Sequence, residues 1–400
     1  MFFSCKVSKK TAKWWKNIIQ NRKNSVQIAF FWHKTELLTR LFCFLKNLLY
    51  FCSVQKNEIF KKMKGSTIIT TICAACIMAS CTPSDNDSPQ SEVIFESGSY
   101  PYATFRQGNY YYTMQTDEPG KISLYVAGTP EELSKSQQHI VWQADSMLHI
   151  WSPEIHYINN KWYIYFEADD GNTDNHQLYV LENASADPLK GQFRMKGIIR
   201  TNEEWNFGLH PTSVIVGRQQ YLLWSGWQHR RAEAETQCIF IARMQNPWTL
   251  DSERVMISQP EYEWERQWIN PNGERSNYPI LVNENPEAFV TPDGRHVCVY
   301  YSASGIWTVY ATLGMLYAST DSNLLDPRSW TKCTEPQFVP DNTDSIHGVT
   351  NISLIPSSDG KQQMILFEAK WRENGQERRG IRMKPIQWNK EGLPDFGKPL

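Results

Sequence analysis

The chain has 400 residues and a formal net charge of −1, enough length for one large domain or two ordinary ones. A charge so near balance excludes nucleic acid and other strongly charged partners as the expected ligands. Sixteen tryptophans, eighteen tyrosines and eighteen phenylalanines point to a β-rich core or a sugar-stacking surface, with packing the use expected for most of them.

Residues 1–62 are lysine-rich, hold only Glu36 and Glu58 as acids, and show no strand alternation. They are expected to be upstream translation or an extension without a defined fold. A second start follows at Met63-Lys64-Gly65. The apolar run Ser66 to Met78 is too short to span a bilayer, and Ala79-Ser80-Cys81 closes it. A basic start, an apolar middle and a small-residue cleavage site describe a secretory signal over 63–80. Cys81 stands as in a bacterial lipobox, where the cysteine is lipidated and becomes the mature N-terminus. The expected location is therefore the bacterial cell envelope, through a lipid anchor in its membrane, with 81–95 as a polar tether. Cys238, Cys298 and Cys333 remain in the mature part. Their scatter makes neither a disulfide framework nor a metal site, so buried thiols are expected and no metal ligands are assigned.

From Ser91 onward the pattern is strand after strand. Runs such as Tyr110 to Met114, Trp162 to Phe166, Tyr221 to Trp224, Val297 to Tyr301 and Met364 to Phe367 each follow a turn cluster, for example Gln107-Gly108-Asn109 or Pro292-Asp293-Gly294. A partner run follows each, beginning at Leu124, Leu178, Ile239, Leu316 and Ile381. Asp187-Pro188, Asn246-Pro247 and Asp326-Pro327 then open the turn into an outer strand, because proline cannot sit in a central one. Repetition of such a unit predicts an all-β fold, a five-bladed β-propeller over 96–400. A β-sandwich is the competing architecture, but its strands are more evenly spaced. In a propeller the innermost strands converge on a central channel. The converging segments are Tyr100 to Phe105, Trp151 to Tyr157, Phe207 to Ser213, Val282 to Phe289 and Ile346 to Ser353.

Trp151-Ser152-Pro153-Glu154-Ile155-His156-Tyr157, Lys161-Trp162-Tyr163-Ile164-Tyr165-Phe166, Leu178 to Asn183 and Leu324 to Lys332 resemble glycoside hydrolase family 43, especially its arabinofuranosidase-like members. The likeness runs from about Tyr100 to Gly397. It implies inverting hydrolysis by an aspartate base, a glutamate acid and a second aspartate that tunes the acid. Carried over residue by residue, the acid falls on Glu284 in Val282-Asn283-Glu284-Asn285-Pro286, where the family usually has glycine after the glutamate. The base position falls on Tyr100 and the tuning position on His210. A phenol is a poor base at neutral pH, and a protonated histidine would lower the acid's pKa where a carboxylate raises it. The family histidine that lies at the channel, and often holds water or a metal, is replaced by Thr350. A later one is replaced by Glu368. No cofactor is required on this reading, and Thr350 weakens the case for calcium in the channel.

The groups expected to contact sugar are Tyr102, Trp151, Glu154, Phe207, Trp224, Glu287, Asn351, Glu368 and Arg382, with Trp227 and Trp307 as further aromatics at the mouth. The expectation is a monomeric glycosidase with a modified catalytic set, acting on arabinose-, xylose- or galactose-containing polysaccharide or oligosaccharide of plant or mucosal origin. The alternatives are a catalytically inactive glycan-binding lipoprotein on the same fold, and a structural propeller.

Overall fold

The computed structural model describes residues 91–399 except 116–119, 230–235, 270–274, 309, 340–345 and 374–375. The expectations for residues 1–62, the signal at 63–80 and lipidation at Cys81 lie outside the described residues. A compact unit spans Asp85–Leu400, and its described part is a ring of five antiparallel blades.

Blade I is Ser99–Arg106, Asn109–Gln115, Lys121–Ala127 and His139–Gln143. Blade II is Leu148–Ile158, Lys161–Asp169, Gln177–Asn183 and Arg194–Ile199. Blade III is Leu209–Val216, Gln219–Gly226 and Thr236–Asn246, edged by Val255–Ser258. Blade IV is Arg275–Val290, His296–Ala303, Thr312–Ser319 and Thr331–Lys332. Blade V is Ile346–Pro356, Gln363–Glu373 and Gln376–Pro385, and its outer strand is Glu92–Phe95 from the beginning of the described chain. That pairing corrects the tether expected to reach residue 95: Glu92–Phe95 closes the ring by hydrogen bonding to the last blade.

The aromatic-rich runs of the sequence are the second strands of the blades, and the segments before their turns are the innermost ones. Successive side chains of a strand point to opposite faces, and in a propeller each face meets a neighbouring blade. Trp162, Ile164 and Phe166 accordingly pack with Tyr111 and Leu124 of blade I. The alternate residues Tyr163 and Tyr165 pack with Leu222, Trp224 and Phe240 of blade III. Comparable clusters join III to IV, IV to V and V to I. This explains why the second strands are apolar on both faces. Cys238 and Cys298 are buried thiols and Cys333 is half-buried. Burial pushes Cys238 up to about 11 and Cys298 to about 12, so these thiols stay protonated.

One irregularity is repeated in every blade. The innermost strands carry a residue with positive φ: Tyr100 at 53°, Ser152 at 44°, His210 at 52°, Asn285 at 52° and Asn351 at 45°. The strand register slips at each, marking a β-bulge. In four blades proline comes next, at Pro101, Pro153, Pro211 and Pro286. A bulge frees a backbone N–H, which needs an acceptor when buried. The preceding blade's second strand supplies it. Tyr100 N donates to Glu368 Oε2 at 3.2 Å and His210 N to Glu167 Oε2 at 3.2 Å. Asn285 N donates to Ser225 Oγ at 3.0 Å and Asn351 N to Ser302 Oγ at 3.3 Å. Four of the five bulges are therefore fastened to the preceding blade in this way, and the residues beside them converge on the channel.

Candidate active site

A cavity of about 390 Å³ opens where the blades converge. Every blade contributes to it: Tyr100 from I, Trp151 from II, His210 from III, Glu284 from IV and Arg379 from V. Phe207, Trp227 and Trp307 add aromatic walls. Beneath it, past the bulges, a cavity of about 30 Å³ is lined by Tyr102, Glu154, Glu287 and Asn351 among others.

Glu284 is only 2% exposed. It stands one residue before the blade IV bulge and accepts a hydrogen bond on Oε1 from Ile306 N at 2.9 Å. Ile306 is held in turn through its carbonyl, which accepts from Lys370 Nζ at 2.9 Å. The acid candidate is thus held by a backbone N–H at the wall of the larger cavity. The left-handed φ at Asn285 gives a physical reason for glycine at this place in the family pattern.

Tyr100 reaches the same cavity, stacked on His210 with ring centroids 5.3 Å apart. Burial raises its phenol well above the usual value near 10, and Glu284, Glu368 and Glu167 raise it further against a smaller opposing effect of Arg379. The hydroxyl stays protonated at neutral pH. It can donate a hydrogen bond but is not a phenolate base or nucleophile, which removes the catalytic-base role from this position. Tyr100→Phe is therefore expected to keep kcat within about ten-fold of the unmodified protein, whereas loss of a base or nucleophile costs roughly 10²–10⁴-fold. Steady-state assays of the two proteins decide it, and a thousand-fold loss would return Tyr100 to the mechanism.

His210 is buried and neutral, because burial lowers its pKa well below the usual range. The wrong-sign charge expected of a histidine beside Glu284 is therefore absent. Its Nε2 lies 3.6 Å from Glu167 Oε1, and its Nδ1 lies 3.4 Å from Ser225 Oγ. Glu167 is a carboxyl the sequence reading missed. The signal was present: it interrupts the apolar run Trp162 to Ala168, where an acid is buried only if it faces a partner. Burial is the main cause that pushes it up to about 8, and Glu284 adds to the rise.

Other expected contacts divide by depth. Trp151 and Phe207 line the larger cavity, as do Trp227 and Trp307. Tyr102 lies below, its hydroxyl 3.1 Å from His156 Nδ1. Asn351 also lies below and donates through Nδ2 to Glu368 Oε2 at 2.8 Å. Glu368 is fully buried under the floor and pairs with Arg379, Nε to Oε1 at 2.5 Å. Two expectations are corrected. Trp224 is buried in the cluster between blades II and III, away from sugar. Arg382 points to the outer strand, donating to Ser91 Oγ at 2.9 Å and Ser91 O at 2.8 Å. Among the described residues the arginine that lines the cavity is Arg379, three residues earlier on the same strand. Strand alternation separates them, since residues three apart face opposite sides.

Glu154 and Glu287 face each other across the channel at the smaller cavity. Burial raises both well above the usual carboxyl range, and their mutual repulsion raises Glu154 further. Glu154 also meets His156 Nε2 at 3.0 Å, and Glu287 accepts from Thr212 Oγ1 at 3.4 Å. Folded carboxyls with raised pKa hold protons that the unfolded chain has released. Their contribution is full below the unfolded value near 4.3 and is lost as pH rises toward the folded value. Glu287→Gln is expected to raise the melting temperature by several degrees at pH 8 and leave it little changed at pH 5. Parallel pH dependence of melting in both proteins would contradict this account. Thr350 brings one neutral oxygen where the resemblance implied histidine, and among the described residues no group of three His, Cys, Asp or Glu comes together as metal ligands.

The family model for glycosyl hydrolases family 43 matches residues 93–394. The chain is 34% identical over 306 residues to an extracellular exo-α-(1→5)-L-arabinofuranosidase of Streptomyces avermitilis, covering 73% of this chain and 60% of that protein. It is 30% identical over 346 residues to α-L-arabinofuranosidase 43 of Humicola insolens, covering 84% and 68%. Among solved structures, α-L-arabinofuranosidase from Lactobacillus brevis superposes with a TM-score of 0.68 at 28% identity, covering 77% of this chain and 95% of that one. The chain thus spans about 60% of the length of the Streptomyces relative. With the ring of blades, the shared inner-strand geometry and the family match over most of its length, the chain belongs to glycoside hydrolase family 43.

Proposed function

We propose that the protein is a glycoside hydrolase of the arabinofuranosidase type, acting on arabinose-containing glycans with a modified catalytic set. The observation that carries this reading is Glu284, a carboxyl held by Ile306 N at the wall of a cavity to which all five blades contribute. In the proposed reaction water attacks the anomeric carbon. The bond to the leaving oxygen breaks, Glu284 gives that oxygen its proton, and the proton released by the attacking water passes to solvent, from which Glu284 is protonated again. Trp151 and Trp307 offer flat apolar faces that stack on a sugar ring and exclude water. Relatives described as arabinofuranosidases support arabinose as the released sugar.

A second reading, glycan binding without turnover, is favoured by one observation: the base position holds a protonated Tyr100. The two readings part in a single experiment. The purified protein is incubated with aryl arabinofuranosides, aryl xylosides, aryl galactosides and arabino-oligosaccharides, and the same oligosaccharides are titrated calorimetrically. Release of arabinose supports the hydrolase. Micromolar binding with no product supports the binder and overturns the first reading.

A further inference from the structure

Glu284 and Trp307 have different tasks in the proposed reaction, one protonating and the other stacking, yet one short loop serves both. It runs from Ser304 to Thr308, between the second and third strands of blade IV. Ser304 and Gly305 have positive φ, 69° and 73°, which turns the chain sharply. Thr308 closes the turn, its N–H donating to Gly305 O at 2.9 Å and its Oγ1 to Ser304 O at 2.9 Å. Within the turn Ile306 N donates to Glu284 Oε1 at 2.9 Å. The next residue, Trp307, lines the sugar cavity and is 40% exposed. A Cβ on Gly305 would lie 2.9 Å from the Trp307 ring, so the indole rests against the bare glycine backbone.

Bonds inside the turn set its shape, and Ser304 Oγ ties its start to Trp264 O at 2.5 Å. The part that faces the site is held from the next blade. Lys370, on the second strand of blade V, is only 6% exposed. Its Nζ donates to Ile306 O at 2.9 Å and to Thr308 O at 3.4 Å, so the two carbonyls bracket Trp307. The lysine stem passes Gly348, where a Cβ would come 3.2 Å from Thr308 O and 3.3 Å from Lys370 Cδ. Burial makes the anchor stiff, because an ammonium out of water gives up an acceptor only at high cost.

We propose that Lys370 is a positioning residue for both tasks of the site: through Ile306 it sets the place of Glu284, and by bracketing Trp307 it sets the face on which the sugar stacks. This rests on the reading of Glu284 as the acid. Lys370 itself does not line the cavity and acts through the loop. The proton donor and the stacking face then share one frame, so a sugar seated on Trp307 meets Glu284 at a fixed distance. Such registration matters, since a misplacement of about 1 Å can cost roughly 10²-fold in rate.

The test is Lys370→Met, with kcat and KM measured separately on an arabino-oligosaccharide and on an aryl arabinofuranoside whose acidic phenol leaves without a proton. With the loop unanchored, kcat on the oligosaccharide is expected to fall by roughly 10- to 100-fold. On the aryl substrate kcat should change by less than about three-fold. KM should rise by about three- to ten-fold on both, as stacking on Trp307 weakens. A merely structural role would shrink the active fraction, lowering kcat on both substrates alike with KM unchanged. That result overturns the proposal, as does a variant with the kinetics of the unmodified protein. Should Lys370→Met not fold, Lys370→Arg keeps the charge but displaces the donors; the same split between substrates is expected at smaller size, and its absence overturns the proposal. Glu284→Gln separates the two levels. If it is inactive on the oligosaccharide while the Lys370 variants show no split, this proposal alone falls; if it is fully active, the reading beneath it falls.

Discussion

Glu284→Gln is expected to reduce kcat on an arabino-oligosaccharide by roughly 10²–10⁴-fold, the span attributed to a general acid. The amide has nearly the same volume and can still accept from Ile306 N, so the rotamer and the cavity wall are kept. What is lost is the proton for the leaving oxygen. The effect should therefore scale with the leaving group, severe for an alkoxide and mild for an acidic phenol, while KM stays within about three-fold because ground-state contacts persist. An unchanged melting temperature separates this outcome from unfolding. Activity that is indifferent to the substitution would remove Glu284 from the mechanism and with it the hydrolase reading of this cavity.

The second large effect concerns stability. Glu368 is fully buried and ties together three elements: Arg379 on one oxygen, and Asn351 Nδ2 with the Tyr100 backbone N on the other. Glu368→Ala leaves all three donors without this acceptor and Arg379 without its countercharge. Removing one member of a buried pair costs roughly 3–5 kcal/mol, and partial exposure of Arg379 lowers the expected loss to roughly 2–4 kcal/mol. For a domain of this size that corresponds to a fall in melting temperature of roughly 4–8 °C. Adding Arg379→Met should recover part of the loss, since no lone charge then remains. A Glu368→Ala protein within about 0.5 kcal/mol of the unmodified one would show that these bonds are replaced by solvent. The same variant should also blunt catalysis, because the bulge at Tyr100 rests on Glu368.

Much of the architecture was legible because propeller blades are local objects. Antiparallel strands joined by short turns leave a trace in every stretch of chain: the apolar run, the turn cluster, the partner run, the proline edge. Asn159-Asn160 is such a case, both residues having positive φ in the tight hairpin between Ile158 and Lys161. Closure of the ring was not legible. Glu92–Phe95 pairs with Val93 opposite Arg382, an association nearly the whole domain apart in sequence, and a four-residue strand carries too little pattern to announce it.

The site divides in the same way. Glu284 as acid candidate, and Tyr100, His210 and Thr350 as departures from the motif, are what the resemblance implies by position, because inner strands keep their spacing. The depth of each side chain was not. Glu154 and Glu287 follow their bulges by two residues and fall below the sugar cavity, while Trp224 and Arg382 belong to strands that turn their side chains elsewhere.

The amino-acid order alone determined the repeat, its strand polarity, the family and the acid candidate, since each depends on neighbours within one blade. Only the folded ring decided that the Tyr100 phenol stays protonated, that His210 is neutral, and that Glu167 is buried against the blade III bulge. Those properties arise from burial and from charges brought together across blade interfaces, and neither quantity is written in any local stretch of sequence.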